Sequence, residues 1–189
     1  MQRIPAGAAL LQVQTEHALL DELLQHWREP LDGDFVAYRH HCFRVFNFCS
    51  ALARLSPAQA DKLAIAVAFH DLGIWTHHSF DYLEPSQQLA REYLAQHARS
   101  EWTDEVLAMI AHHHQCTPWR GAASSLVECF RKADWIDVSL GSLSFGLPRS
   151  FIRETRSAFP NAGFHQRLLD LSWRRLRSHP LSPLPMMKW

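Results

Sequence analysis

Several histidine and aspartate residues in this chain fall where a core-facing apolar residue is expected, and metal binding is the chemistry their types and spacing allow. An apolar stripe at helical spacing runs through Tyr38, Cys42, Val45, Phe46, Cys49 and Leu52, and His41 lies on it, three after Tyr38 and four before Val45. Leu63 and Val67 lead in the same way to His70, with Asp71 four beyond Val67. Val106, Met109 and Ile110 lead to His113 inside the run His112-His113-His114, while Val127 and Phe130 lead to Asp134, with Asp137 one turn on. An isolated carboxylate turned into an apolar core is costly, and two of them beside several imidazoles require compensation. A shared divalent cation supplies it. Imidazole nitrogen mixed with carboxylate oxygen suits Zn, Mn, Fe, Co or Ni better than Ca or Mg, and the lack of thiolates in the set argues against a purely structural zinc site. Each residue alone has a plainer role, as a hydrogen-bonded core histidine or an aspartate cap. Four helices bringing His, His-Asp, His and Asp to one side are not accounted for that way.

The elements that must position these groups are helical. Only seven glycines, few β-branched runs and recurrent apolar spacings of three and four predict an all-α fold, a single compact bundle of about eight helices with the metal site in its core. The helices are expected near 14–27, 34–54, 57–71, 85–97, 103–114, 124–139, 149–158 and 163–178, with start signals at Asp34, Ser56-Pro57, Thr103 and Ser124. Gly73 reads as a helix stop, and Pro118 with Gly121 marks a loop. One domain over residues 1–189 accommodates the 189-residue length, with a motif-bearing core of about 34–139 followed by helices and a proline-rich tail over 148–189. The tail reads as extended, with Trp189 as its anchor.

Composition narrows the function classes. A hydrophobic fraction of 47% with 20% charged residues is ordinary for a globular protein, and no window approaches a membrane span. Lys plus Arg equals Asp plus Glu at 19 each, so no overall field gathers duplex nucleic acid. The balance is uneven along the chain: residues 148–189 carry eight cations against two acids, a pattern read as a solvated helix face at Arg174, Arg175 and Arg177. Cys42, Cys49, Cys116 and Cys129 form no C-x-x-C pair and read as reduced thiols, and the N-terminal segment is a poor signal peptide. A cytoplasmic protein is expected. No pattern specifies the oligomeric state; a homodimer is compatible.

The ordered set His41-x-x-Arg44-Val45, Ala68-Phe69-His70-Asp71-Leu72-Gly73, Ile110-x-x-His113-His114 and Ala133-Asp134-x-x-Asp137 resembles the HD superfamily of metal-dependent phosphohydrolases over about residues 38–138. The resemblance implies a helical domain whose metal is held by His41, His70, Asp71 and Asp134. It also implies hydrolysis of a small phosphate ester, most often a nucleotide, by a metal that lowers the pKa of a bound water and polarises the phosphoryl group. Other members hydrate a small nitrile or use two irons for oxidative cleavage, and a catalytically silent, metal-stabilised binding protein is a further reading. The Glu-Asp pair of guanosine tetraphosphate hydrolases is missing after the doublet, as is the Gly-Tyr-Pro motif of the cyclic-dinucleotide branch.

Around that set, Glu84 stands before Pro85 where two-metal phosphodiesterases have a histidine, so it reads as a ligand to a second metal, a general base, or a first-turn acid stabilised by the helix dipole. His113 is a further ligand or an outer neighbour of the ligands. Asp81 and Glu84 are the catalytic-base candidates, and Arg44 and Lys132 the candidate phosphate clamps, with a structural ion pair and a solvated side chain as their plainer alternatives. His114 and Trp119 are assigned to substrate, and Trp75, His77, His78 and Arg120 lie in loops near enough to join them. Trp27, Trp102, Trp135 and Trp173 are assigned to packing.

Overall fold

The computed structural model describes residues 11–121 and 125–187 and is all-helical, with no strand among the described residues. Ten α-helices follow one another: α1 (Ala18–His26), α2 (Arg28–Leu31), α3 (Phe35–Ala53), α4 (Pro57–Phe69), α5 (Gly73–Thr76), α6 (Leu83–Gln96), α7 (Thr103–His112), α8 (Ser125–Val138), α9 (Arg149–Ala158) and α10 (Phe164–Ser178). Eight match the expected helices; α2 and α5 are single turns that period reading passes over. Trp189 and the Ser124 start signal lie outside the described residues.

Two helices form the centre. Every residue of α3 from His41 to Cys49 is buried, as is every residue of α4 from Leu63 to Phe69. A helix apolar all round is surrounded on all sides, and these two are. Their starts differ. α4 opens with a complete capping box, Ser56 accepting from the Gln59 amide while the Gln59 side chain accepts from Ser56 N, and Pro57 stands at its first position. Asp34 precedes α3 but does not cap it. Its carboxylate instead accepts from Trp75 Nε1 at 2.9 Å and pairs with Arg167 at 3.0 Å, tying α3, α5 and α10 together. α8 lies along α3, burying Leu126, Val127, Phe130, Ala133 and Ile136.

The break between α4 and α5 positions the chemistry. The expected helix continued through Asp71, whereas α4 ends at Phe69 and the doublet His70-Asp71 occupies the turn. Gly73 is not a left-handed stop. It opens α5 because a Cβ there would lie 2.5 Å from Tyr82 O and 3.0 Å from Ser86 Oγ, and its N–H donates to Ser86 Oγ at 2.9 Å. This close approach docks the start of α6 onto the doublet.

α9 and α10 pack against α3 from outside, α10 chiefly through buried Phe164. The tail after α10 is irregular and is held by Met186, which is buried. Trp173, expected in the packing, is 62% exposed, because among the described residues it lies on the solvent side of α10.

Candidate metal centre

His41 from the middle of α3, His70 and Asp71 from the turn after α4, His113 and His114 from the end of α7, and Asp134 from α8 converge at one point. His41, His70, Asp71, His113 and Asp134 are each no more than 2% exposed. His41 Nε2 and His70 Nε2 are 2.9 Å apart; His41 Nε2 lies 3.7 Å from both Asp71 Oδ2 and Asp134 Oδ1. His70 Nε2 lies 3.4 Å from Asp71 Oδ2 and 3.9 Å from Asp134 Oδ1.

Partners on the far side of each ring fix what the near nitrogens offer. His70 Nδ1 meets Val67 O at 2.8 Å and His113 Nδ1 meets Ile110 O at 2.7 Å, and a carbonyl oxygen can only accept. His41 Nδ1 meets Asp137 Oδ2 at 2.7 Å. All three rings therefore carry a proton on Nδ1, and in the neutral form that a metal ligand requires each turns an Nε2 lone pair inward. In that form two lone pairs face each other at 2.9 Å, an arrangement that a cation between them relieves. Asp71 Oδ1 and both oxygens of Asp134 are buried without an aligned donor, which is the same demand from the carboxylates. Bonds of about 2.1 Å at right angles would place neighbouring donors about 3 Å apart, so the donor set fits a divalent transition metal.

The surroundings hold the donors in place. Asp137, buried at 1% exposure, receives Arg44 Nε at 2.5 Å and Arg44 Nη2 at 2.8 Å in addition to His41. Burial opposes ionisation of Asp137, but the Arg44 guanidinium and His41 hold its carboxyl well below the usual carboxylate range. Phe164 stacks on His41 with centroids 4.0 Å apart, and Tyr38 stacks on His70 at 6.2 Å while donating to Ala68 O. Burial lowers the pKa of His70, favouring the neutral form a ligand requires.

A second donor set shares Asp71. Its Oδ1 lies 3.3 Å from His113 Nε2, and Asp71, His113 and His114 together form a group whose ligand atoms lie within 4.8 Å of one another. His114 Nδ1 stands 3.1 Å from Asp134 Oδ2. The structure thus brings both His113 and His114 into the cluster.

The remaining expected site residues lie elsewhere. Arg44 is not free to clamp a phosphate: besides Asp137 it donates from Nη1 to Phe159 O and Pro160 O at 3.0 and 3.3 Å, so its guanidinium supports His41 from behind. Lys132 faces Glu128 at 3.5 Å. Trp119 packs on His112 with centroids 4.1 Å apart, and its backbone N–H donates to Glu128. Asp81 is exposed and paired with Arg175 at 2.5 Å, an ion pair between the loop before α6 and α10, the helix whose arginines were read as solvated. Glu84 is exposed in the first turn of α6, outside the cluster, and lines a cavity of about 160 Å³ together with Asp81, Tyr82 and Pro185. Trp75 is buried, and His77, His78 and Arg120 are exposed.

Two contributors escaped assignment in the sequence. Asp137 was visible as an acid one turn beyond Asp134, and its use by His41 three residues before Arg44 was the signal available. Tyr82, whose hydroxyl lies 3.4 Å from His113 Nε2, carried no such signal.

An all-helical bundle with a buried His/Asp donor set defines a metal-centred helical protein. Residues 38–139, more than half of the chain, match the HD domain family, and the chain belongs to it. This is a superfamily of metal-dependent phosphohydrolase type. Neither the curated proteins nor the solved structures compared with the chain contain a match.

Proposed function

We propose that the chain is a metal-dependent phosphohydrolase acting on a small phosphate ester, with His41, His70, Asp71 and Asp134 holding one divalent transition metal. The observation that carries this reading is the pair of inward Nε2 lone pairs 2.9 Å apart beside three carboxylate oxygens without donors. A metal held there supplies Lewis acidity, lowering the pKa of a water and polarising the phosphoryl group. Asp137, held by Arg44, keeps the His41 ring oriented with its proton on Nδ1 and Nε2 turned toward the metal position. His114, beside Asp134 and 13% exposed at its side chain, is our assignment for the group that contacts the leaving-group oxygen. Arg175 neutralises Asp81; among the described residues no cation pairs with Glu84, and Glu84 is our assignment for the base.

Nucleotides head the substrate panel, as the superfamily resemblance suggests. The test is phosphate release from nucleotides and other monoesters by the metal-loaded chain, alongside D134A and E84Q. Release that disappears in D134A together with bound metal, and falls in kcat with little change in KM in E84Q, is the expected result. Absence of turnover on the whole panel, or metal binding undiminished in D134A, overturns the reading.

A second reading has one observation of its own: Asp71 presents its two oxygens to two donor sets, His41/His70 and His113/His114. Two metals, one held by each set, would supply chemistry for oxidative cleavage or hydration as well as hydrolysis. Metal content per chain decides it. Two irons, falling to one in H113A, with an oxygen-dependent product, would favour this reading; one redox-inert metal would exclude the oxidative form.

A further inference from the structure

A cavity of about 430 Å³ adjoins the candidate metal centre and has unusual walls for an enzyme expected to hold a phosphate ester. Two of its lining residues, Tyr82 and His114, touch the cluster directly, at His113 and Asp134. The ligand side chains themselves are at most 3% exposed, so this wall is where an organic group attached to a metal-bound head would lie. No Lys, Arg, Asp or Glu lines it among the described residues. The few polar groups are already engaged: Trp135 Nε1 donates to Gln115 O, Ser172 Oγ donates to Leu168 O, and both ring nitrogens of His165 have partners. Among the described residues, of these polar groups only Nε2 of His114 is left without a protein partner.

A ribose or a base presents hydroxyls, amines and ring nitrogens that lose water on binding and need partners in return. These walls offer one. An aromatic or branched aliphatic body needs none and gains from leaving water. The rim agrees, since Leu140, Leu169 and Leu184 are 49%, 64% and 44% exposed around the mouth, an apolar surface that an apolar ligand would cover. Most of this wall comes from α10 and the tail, beyond the segment matched to the HD domain family.

We propose that the cavity holds the apolar body of the substrate, so that the ester cleaved is that of a phenol or lipophilic alcohol, its organic group against Trp135, Leu168, Met186 and Met187. For its head group the proposal rests on the phosphohydrolase reading above.

The test is calorimetric binding of phenylphosphonate, methylphosphonate and the neutral probe 1-naphthol to the metal-loaded 189-residue chain, and to L168N and M187N. Phenylphosphonate is expected to bind at least about 30-fold more tightly than methylphosphonate, given that a single methylene in an apolar pocket is worth about 10–200-fold. The two affinities should converge in either variant, with the melting temperature recorded to show that each is folded. Equal binding of the two phosphonates in the native chain overturns the cavity assignment and leaves the phosphohydrolase reading intact. Failure of both phosphonates, with 1-naphthol bound natively and lost in both variants, upholds the cavity and overturns the phosphate head group.

Discussion

Replacing Asp137 by alanine strands two buried partners at once. Arg44, 1% exposed, loses the acceptor of its Nε and Nη2 donors and keeps only the carbonyls on Nη1, and His41 loses the acceptor that fixes its proton on Nδ1. Removing one member of a buried ion pair costs about 3–5 kcal/mol, because the other charge stays buried without compensation. That is a large share of a total stability of about 5–15 kcal/mol. For a chain of this length each kcal/mol moves the melting temperature by about 2–4 °C, so D137A should melt about 6–20 °C lower. Loss of the outer partner of a ligating imidazole should weaken metal binding about 10–100-fold. R44M separates the two effects: it removes the buried cation but leaves the Asp137–His41 contact, so stability should fall while metal affinity falls less than in D137A. Thermal melts of the metal-free protein and calorimetric titration with Zn²⁺ read both quantities. A D137A variant that melts lower yet binds Zn²⁺ within twofold of the native chain would refute the claim that Asp137 orients His41. A melting temperature within 2 °C of native would refute the stability reasoning.

Three further outcomes are expected. In G73A the new Cβ meets Tyr82 O, a backbone atom that can yield only if α6 shifts, so the variant should lose about 1–3 kcal/mol in denaturant unfolding. Burial pushes Glu128 up, but Arg131 and the Trp119 N–H outweigh it and hold its carboxyl low, so its contribution is complete above the ordinary carboxylate pKa and is lost as pH falls through the lower folded value. The difference in melting temperature between the native chain and E128Q should therefore be constant from about pH 7 to 5 and shrink below about pH 4. Burial pushes the Cys42 and Cys49 thiols well up, so in a timed thiol-reagent assay neither should react before unfolding; modification of either in the native state would contradict the packing of α3.

The sequence by itself determined the helical architecture and the metal-ligand candidates, for one physical reason: a polar residue on an apolar stripe is visible in one dimension. His41, His70, Asp71, His113 and Asp134 each broke a local period of three and four, and local period is what helix formation and burial impose on a chain. Tertiary structure decided what the period does not encode. Whether Arg44 faced a substrate or Asp137 depended on a helix about 90 residues away, and Asp81 and Trp119 were placed by α10 and by Glu128. The role of Gly73 depended on where Tyr82 and Ser86 came to rest, since close approach is a property of two segments rather than one. The cavity beside the centre is assembled from a loop, α8, α10 and the tail, none of which carries a pattern that announces it. Ionic and apolar contacts of that kind depend on distances through space, and these exist only once the chain has folded.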